Sequence, residues 1–168
     1  QQGGLAIHPY PLMPAGGLFL LSVGLAIVGG AIYSPWRVQL LAVGLTIATL
    51  ITTVATPMLI SRLGRPSGSQ VAALTAAVLL EGALVPLTLH ATRQKGESTR
   101  WLSTLFMVGL HFLPMAVAFG PVVLVLGLAV MLNAGIGLWE TSEMKFKRSW
   151  LVDGLLRLGA GVIMMLGV

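Results

Sequence analysis

The chain is a succession of long apolar runs separated by short polar hinges, and this pattern leaves few folds open to it. Six runs approach the roughly 20 predominantly apolar residues that a bilayer-spanning helix needs. They lie near 16–34, 40–61, 71–92, 101–120, 121–139 and 150–168. Lipid offers no hydrogen bonds, so segments of this kind satisfy their backbone groups as helices. The sequence therefore predicts an all-α integral membrane protein, a compact bundle of six transmembrane helices.

The division between the fourth and fifth runs depends on a Gly-Pro step, because no charged residue separates them. Read as one helix, residues 101–139 would be about 58 Å long, roughly twice the hydrocarbon thickness. Gly120 tolerates positive φ, and Pro121 cannot continue the hydrogen bonds of a preceding helix, so the pair predicts a tight hairpin. Residues 1–15 contain three prolines and are expected to be a non-helical lead-in to one helical domain over 16–168.

Composition agrees with a membrane environment and excludes several function classes. Hydrophobic residues make up 56% of the chain and charged residues 9%, whereas soluble domains are about a quarter charged. The net charge of +5 does not indicate nucleic-acid binding, because the basic residues lie in hinges where topology explains them. The absence of cysteine removes disulfides, thiolate metal sites and a cysteine nucleophile. We expect no cofactor and no bound metal.

Basic residues and tryptophans predict the orientation in the membrane. Lys and Arg collect in short cytoplasmic loops, and tryptophan prefers the lipid–water interface. The first, third and fifth hinges carry seven basic residues and the opposite side two, Arg62 and Arg65. The seven are Arg37, Arg93, Lys95, Arg100, Lys145, Lys147 and Arg148, and Trp36, Trp101, Trp139 and Trp150 flank the same hinges. Both termini are therefore expected outside, in a plasma membrane of the bacterial type.

Ionisable side chains inside the runs are the candidate functional residues, because such groups are costly in lipid and face protein or water. Glu81 and His111 are both expected near the midplane, where an acid and an imidazole on adjacent helices can form a proton relay. Pro86 and Pro114 follow them and free backbone carbonyls at predicted kinks. Pro57 predicts a third kink, in the second helix.

Three further polar residues lie inside the apolar runs. Asp153 and Arg157, four residues apart on one helix face, predict an ion pair in the cytoplasmic third of the sixth helix, in partial contact with water. This pair is interpreted as structural or as a contact for an anionic substrate or head group. Asn133 is grouped with the proton site, although an interhelical hydrogen bond explains it equally well.

These residues support several functional hypotheses. The first is a proton-coupled carrier or channel-like protein for a small solute, with Glu81 and His111 as its midplane site. The alternative is a non-catalytic subunit or assembly factor of a larger membrane complex, in which the same groups only join helices. An intramembrane enzyme acting on lipid ranks below both, since none of the common hydrolase, metalloprotease or P-loop motifs occurs. Small residues repeated along the first and third helices favour close packing within the bundle or a homo-oligomer.

Overall fold

Six α-helices account for nearly all of the structure, a computed structural model that describes residues 8–139 and 142–167 and only the backbone of Glu143. Each helix is long and apolar enough to cross a membrane, and the described residues include no strand. The prediction of an all-helical chain with six such segments is confirmed. The helices are α1 Met13–Ile32, α2 Arg37–Leu63, α3 Gly68–Ala91, α4 Glu97–Phe119, α5 Pro121–Trp139 and α6 Glu143–Leu166, with a 3₁₀ turn at Ser34–Trp36.

Helix boundaries follow from local chemistry. Gly64 and Gly120 end α2 and α4 with φ of 101° and 91°, a region that glycine enters without steric cost. The predicted hairpin at Gly120-Pro121 is present, with Pro121 as the first residue of α5. At the start of α3, Ser67 and Gln70 form a reciprocal capping box that satisfies two backbone N–H groups.

Two predicted starts need revision. α6 begins at Glu143, seven residues before the predicted 150, because Ser142 caps it and the basic stretch that follows is already helical. The predicted boundary was the first residue of the apolar run, and this criterion does not detect charged helical turns that precede the run. α1 begins at Met13 with Pro14 in its first turn, so part of the predicted lead-in is helical. Residues 1–7 of that lead-in lie outside the described residues.

The helices pack in an open ring whose order differs from the chain order. Around the ring the sequence of neighbours is α2, α1, α6, α5, α4 and α3, and α4 also touches α1 and α6 across its interior. Across residues 37–91, all of them described, α2 and α3 do not pack against each other although they are consecutive in the chain. The ring is therefore open between α2 and α3.

Contacts at the two ends of the bundle show that the helices alternate in direction. At the end that carries most basic residues, Arg37 at the start of α2 forms an ion pair with Glu97 at the start of α4, with Nη1 and Oε1 3.1 Å apart. At the other end Gln70 donates from Nε2 to the carbonyl of Pro9 at 2.7 Å. The α1–α2, α3–α4 and α5–α6 connections thus share one end, and the segment before α1 lies at the other.

Glycines set the closest helix approaches. On α1, Gly17 and Gly24 each lie against a backbone carbonyl of α6, those of Gly161 and Gly154, and the contacts are reciprocal. The two pairs have the same seven-residue spacing on antiparallel helices, which brings the backbones together along two turns. The small residues Ser22, Ala26 and Gly30, which repeat at every fourth position of α1, face α2 instead, where Gly44 and Arg37 lie against them. This stripe is therefore used for packing within the bundle.

The tryptophans divide into two pairs. Trp36 and Trp139 are 62% and 91% exposed, consistent with interfacial side chains. Trp150 is almost completely buried and packs edge-on against Trp101, with ring centroids 5.5 Å apart. The interfacial interpretation of Trp150 is therefore wrong, because α6 begins before it and carries it into the core.

Candidate functional site

A cavity of about 500 Å³ lies inside the open ring. Its volume is within the range of about 300–1,000 Å³ that small-molecule sites occupy. The wall is mostly apolar and comes chiefly from α1, α2, α3 and α4, with a few side chains from α5 and α6. One face of α3 runs along it, presenting Leu74, Val78, Glu81, Val85 and Leu89 at intervals of three or four residues. The cavity therefore accommodates an elongated, largely apolar molecule.

The cavity opens sideways. Side chains of α2 and α3 line its two flanks, and these two described helices leave a gap where the ring does not close. They are also the least embedded: 11% of the apolar stretch of each is buried, against 44% in α1, α4 and α6. The mouth therefore lies between two helices whose remaining surfaces face away from the protein.

Glu81 and His111 meet within this cavity. α3 packs on α4, and both residues lie near the middle of their helices. His111 Nε2 is 3.5 Å from Glu81 Oε2, which is ion-pair distance but longer than the usual N–H···O hydrogen bond of about 2.9 Å. The imidazole is buried, whereas the carboxyl side chain is 42% exposed. The structure thus brings together the two residues that the sequence placed at one depth.

Asp153 and Arg157 form a buried pair at the middle of α6. Arg157 donates from Nε to Asp153 Oδ2 at 2.8 Å and from Nη2 to Oδ1 at 3.4 Å. Asp153 has no exposed surface and Arg157 is 4% exposed. The expected contact with water is wrong, because both side chains are buried, whereas the position in the cytoplasmic third of the membrane stays a prediction. Because α6 begins at Glu143, the pair lies deeper along the helix than the apolar run indicated.

Arg157 connects this pair to the cavity. Its guanidinium lies over the Phe112 ring, 5.2 Å from Cζ to the centroid, and Phe112 is beside His111 on α4. Arg157 also lines the cavity. Asp153 occupies Nε and Nη2, while Nη1 has no hydrogen-bond acceptor within the described part of the chain. The site therefore offers an oriented guanidinium donor near the Glu81–His111 pair.

Asn133 lies outside the site, whereas Pro86 and Pro114 lie in the same helices as Glu81 and His111. Asn133 on α5 donates from Nδ2 to the carbonyl of Ser149 on α6 at 2.8 Å, so it joins two helices and is not brought to Glu81 or His111. Pro57, Pro86 and Pro114 each lie within a continuous helix. Because proline lacks an N–H, the latter two free the carbonyls next to Glu81 and His111. The kinks themselves stay a prediction.

Two groups of residues escaped the sequence analysis. Thr52, Thr56 and Thr104 line the cavity, and each hydroxyl donates to the carbonyl four residues earlier. The i, i+4 spacing of Thr52 and Thr56 was the available signal for a shared helix face. Arg37 was treated as a loop charge, but it is buried against Phe146 and paired with Glu97. No local signal links two residues sixty positions apart.

The chemistry available at this site is proton exchange and polar recognition. Glu81 and His111 together provide one carboxyl and one imidazole, and no group of three potential metal ligands occurs among the described residues. Asp153 is engaged by Arg157. The arrangement can hold or release protons at the Glu81–His111 pair and donate a hydrogen bond from Arg157.

Comparison with known proteins places this architecture in a family. A family model described as a family of unknown function, DUF6609, matches residues 8–167, almost the whole chain. The chain belongs to the DUF6609 family. No curated protein and no solved structure shows significant similarity to it. The match covers all six helices and so includes every residue of the cavity.

Proposed function

We propose that this DUF6609 chain is an integral membrane protein whose six helices all span the bilayer. The support is the combination of helix length with apolar exposure. Val54, Leu79 and Leu87, on α2 and α3, are each more than 60% exposed, and they are three of many large apolar side chains exposed on the described helices. Monomeric soluble proteins rarely expose contiguous apolar surface on this scale, whereas lipid favours it.

The proposed orientation has the α1–α2, α3–α4 and α5–α6 connections in the cytoplasm and both termini outside. Cysteines introduced singly at Gln94 and Ser69, two exposed positions at opposite ends of the bundle, test it in this cysteine-free chain. An impermeant maleimide applied to intact cells should label Ser69→Cys and leave Gln94→Cys unlabelled until the membrane is opened. Ser67 is avoided because it caps α3. The reverse labelling pattern would contradict the orientation.

Within the membrane, we propose a carrier for a small, largely apolar solute, coupled to protons at Glu81 and His111. The observation that carries this proposal is the position of the pair: one acid and one imidazole, 3.5 Å apart, in the wall of a cavity that opens between two helices. Ionisable residues inside membrane helices mark ion and substrate pathways and proton relays. A site restricted to joining helices would not need the cavity.

Proton flux in sealed vesicles tests the carrier. Vesicles containing the protein and an internal pH dye receive ten-carbon amphiphiles with carboxylate, sulfonate, hydroxyl or amino heads, and the signal of protein-free vesicles is subtracted. At least one solute should drive protein-dependent proton movement, and Glu81→Gln should abolish it, since an amide cannot exchange the proton. Glu97→Gln is the matched control, because Glu97 does not line the cavity. Equal flux in Glu81→Gln would remove Glu81 from the mechanism.

The second candidate is a subunit or assembly factor of a larger membrane complex. The low burial of α2 and α3 favours it, since a partner helix could occupy the gap between them. Purification in mild detergent separates the two functions. A stable monomer or homo-oligomer that binds solute supports the carrier, whereas persistent co-purification of other subunits, with Glu81→Gln silent, supports the complex.

A further inference from the structure

The charges that face the cavity restrict what it can bind. Glu81 on α3, His111 on α4 and Arg157 on α6 are the charged or titratable residues in its wall, and Asp153 lies directly behind Arg157. α1, α2 and α5 contribute uncharged lining side chains. The hydroxyls of Thr52, Thr56 and Thr104 are already engaged with their own helices. The donors left for a solute are therefore the Arg157 guanidinium, which carries a full positive charge, the indole Nε1 of Trp150, which has no partner, and an N–H of His111.

A guanidinium held in this way favours an anionic head group. Arg presents donors in a planar fork that matches carboxylate, sulfonate and phosphate oxygens, and Asp153 fixes its orientation. An apolar cavity wall demands an apolar body behind that head. Since the mouth lies between α2 and α3, such a molecule can enter along the membrane plane with its chain still in lipid. The geometry therefore fits a single-chain amphiphile better than a small hydrophilic ion.

Charge balance requires that the site take up a proton when an anionic solute binds. The Asp153–Arg157 pair is neutral, and Glu81 with His111 is neutral when the two share one proton. If the pair holds one proton, an anion that enters this mostly apolar cavity leaves a net negative charge, which is costly away from water. A second proton, which leaves Glu81 neutral and His111 positive, restores neutrality. One proton balances one negative charge, so the site suits a monoanion.

We propose that the cavity takes up a single-chain amphiphile with a monoanionic head group from the surrounding bilayer, through the opening between α2 and α3, and binds it together with one proton. The head group accepts hydrogen bonds from Arg157, and the proton resides on the Glu81–His111 pair. This inference rests on the proposed carrier function and specifies its solute and stoichiometry.

Tryptophan fluorescence reports occupancy, because Trp101 and Trp150 line the cavity whereas Trp36 and Trp139 are exposed elsewhere. In a Trp36→Phe/Trp139→Phe background reconstituted in nanodiscs, chain-brominated amphiphiles should quench the remaining emission. The probes share one chain and carry carboxylate, sulfonate, hydroxyl or trimethylammonium heads. Quenching by the two anions should saturate and be reversed by the unbrominated compounds, at concentrations at least about tenfold lower than for the other two, as expected for a charge-assisted hydrogen bond.

A charge-neutral variant tests the role of Arg157. Asp153→Asn/Arg157→Gln removes both charges without leaving an unpaired one, and it should bring anion binding to within about twofold of the alcohol. Arg37→Gln/Glu97→Gln is the matched control, because it neutralises an ion pair that does not line the cavity, and it should keep the preference. If the first variant does not fold, the head-group comparison on the unaltered ion pair still decides the class of solute.

Proton uptake is measured with the sulfonate, which keeps its charge across the working pH range. In weakly buffered solution containing a pH indicator, binding should withdraw about one proton per bound sulfonate, and Glu81→Gln should reduce this uptake to near zero. Binding of sulfonate without proton uptake would overturn the coupling.

Two other outcomes separate this inference from the carrier itself. Equal binding of the alcohol and the anions would overturn the anionic class while leaving an amphiphile carrier in place. Absence of saturable quenching by any of the four probes would overturn both the inference and the cavity as a binding site.

Discussion

Replacing Asp153 by Asn should destabilise the folded protein by about 3–5 kcal/mol, because it leaves a buried guanidinium without its counter-charge. The expectation follows from the burial of the pair, with 0% of the Asp153 side chain and 5% of the Arg157 side chain exposed. Arg157→Leu should cost a similar amount for the converse reason. The double variant Asp153→Asn/Arg157→Leu should cost less than the sum, since no charge is then left unpaired. The free energies of unfolding of the unaltered protein, the two single variants and the double variant, measured in one detergent, give the coupling energy between the two side chains.

Glu97→Gln provides the comparison for a more exposed ion pair. The Glu97 side chain is 63% exposed although that of Arg37 is only 9% exposed, so water competes for the carboxylate and the pairing is worth about 1 kcal/mol, the upper end for exposed pairs. The loss in Glu97→Gln should therefore be several times smaller than in Asp153→Asn. Additive losses in the Asp153/Arg157 cycle would show that the two side chains do not stabilise each other directly.

Replacing Gly154 by Ala should also destabilise the bundle, by about 1–3 kcal/mol, through overpacking of α1 against α6. A Cβ at this position would lie 2.7 Å from Val28 Cγ2 and 3.0 Å from the Val28 backbone nitrogen. The Val28 backbone nitrogen cannot move without separating the two helices, so we expect the added methyl group to displace α1 from α6. Thermal unfolding in detergent measures the loss.

Gly159 on the same helix is the matched control. A Cβ there meets nothing within 4 Å, so Gly159→Ala should be neutral or stabilising by up to about 1 kcal/mol, the difference in helix propensity between the two residues. Opposite signs for the two substitutions would locate the effect in the α1–α6 contact. A loss of equal size in both would attribute it to glycine in general and contradict the close approach.

The helices themselves were predictable because their signals are local. Apolar run length marked all six, and Gly120-Pro121 marked the turn that no polar residue announces. The start of α6 was missed because its first turns are basic. A helix can continue beyond its apolar run, since residues outside the hydrocarbon layer need not be apolar. The burial of Asp153 and Arg157 was missed because it depends on how α6 packs against its neighbours.

The ionisable residues of the candidate site were predictable, but the helix packing that brings them together was not. Glu81 and His111 stood out because ionisable groups are rare in apolar segments. Their contact requires α3 to pack on α4, whereas Asn133 turned out to join α5 to α6. Arg157 was known as an ion-pair partner, and its position over Phe112 in the cavity wall appears only when α6 is packed against α4.

The sequence by itself therefore determined the helical class, the number of helices and the set of ionisable side chains within them, because these depend on run length, turn residues and composition. Only the tertiary structure decided that α2 and α3 flank an opening, that a cavity of about 500 Å³ lies between α1, α2, α3 and α4, and that Glu81, His111 and Arg157 lie in its wall. The physical reason is that these helices are apolar on nearly every side, so periodicity does not show which face turns inward. That choice depends on small residues and on polar contacts between helices far apart in the chain.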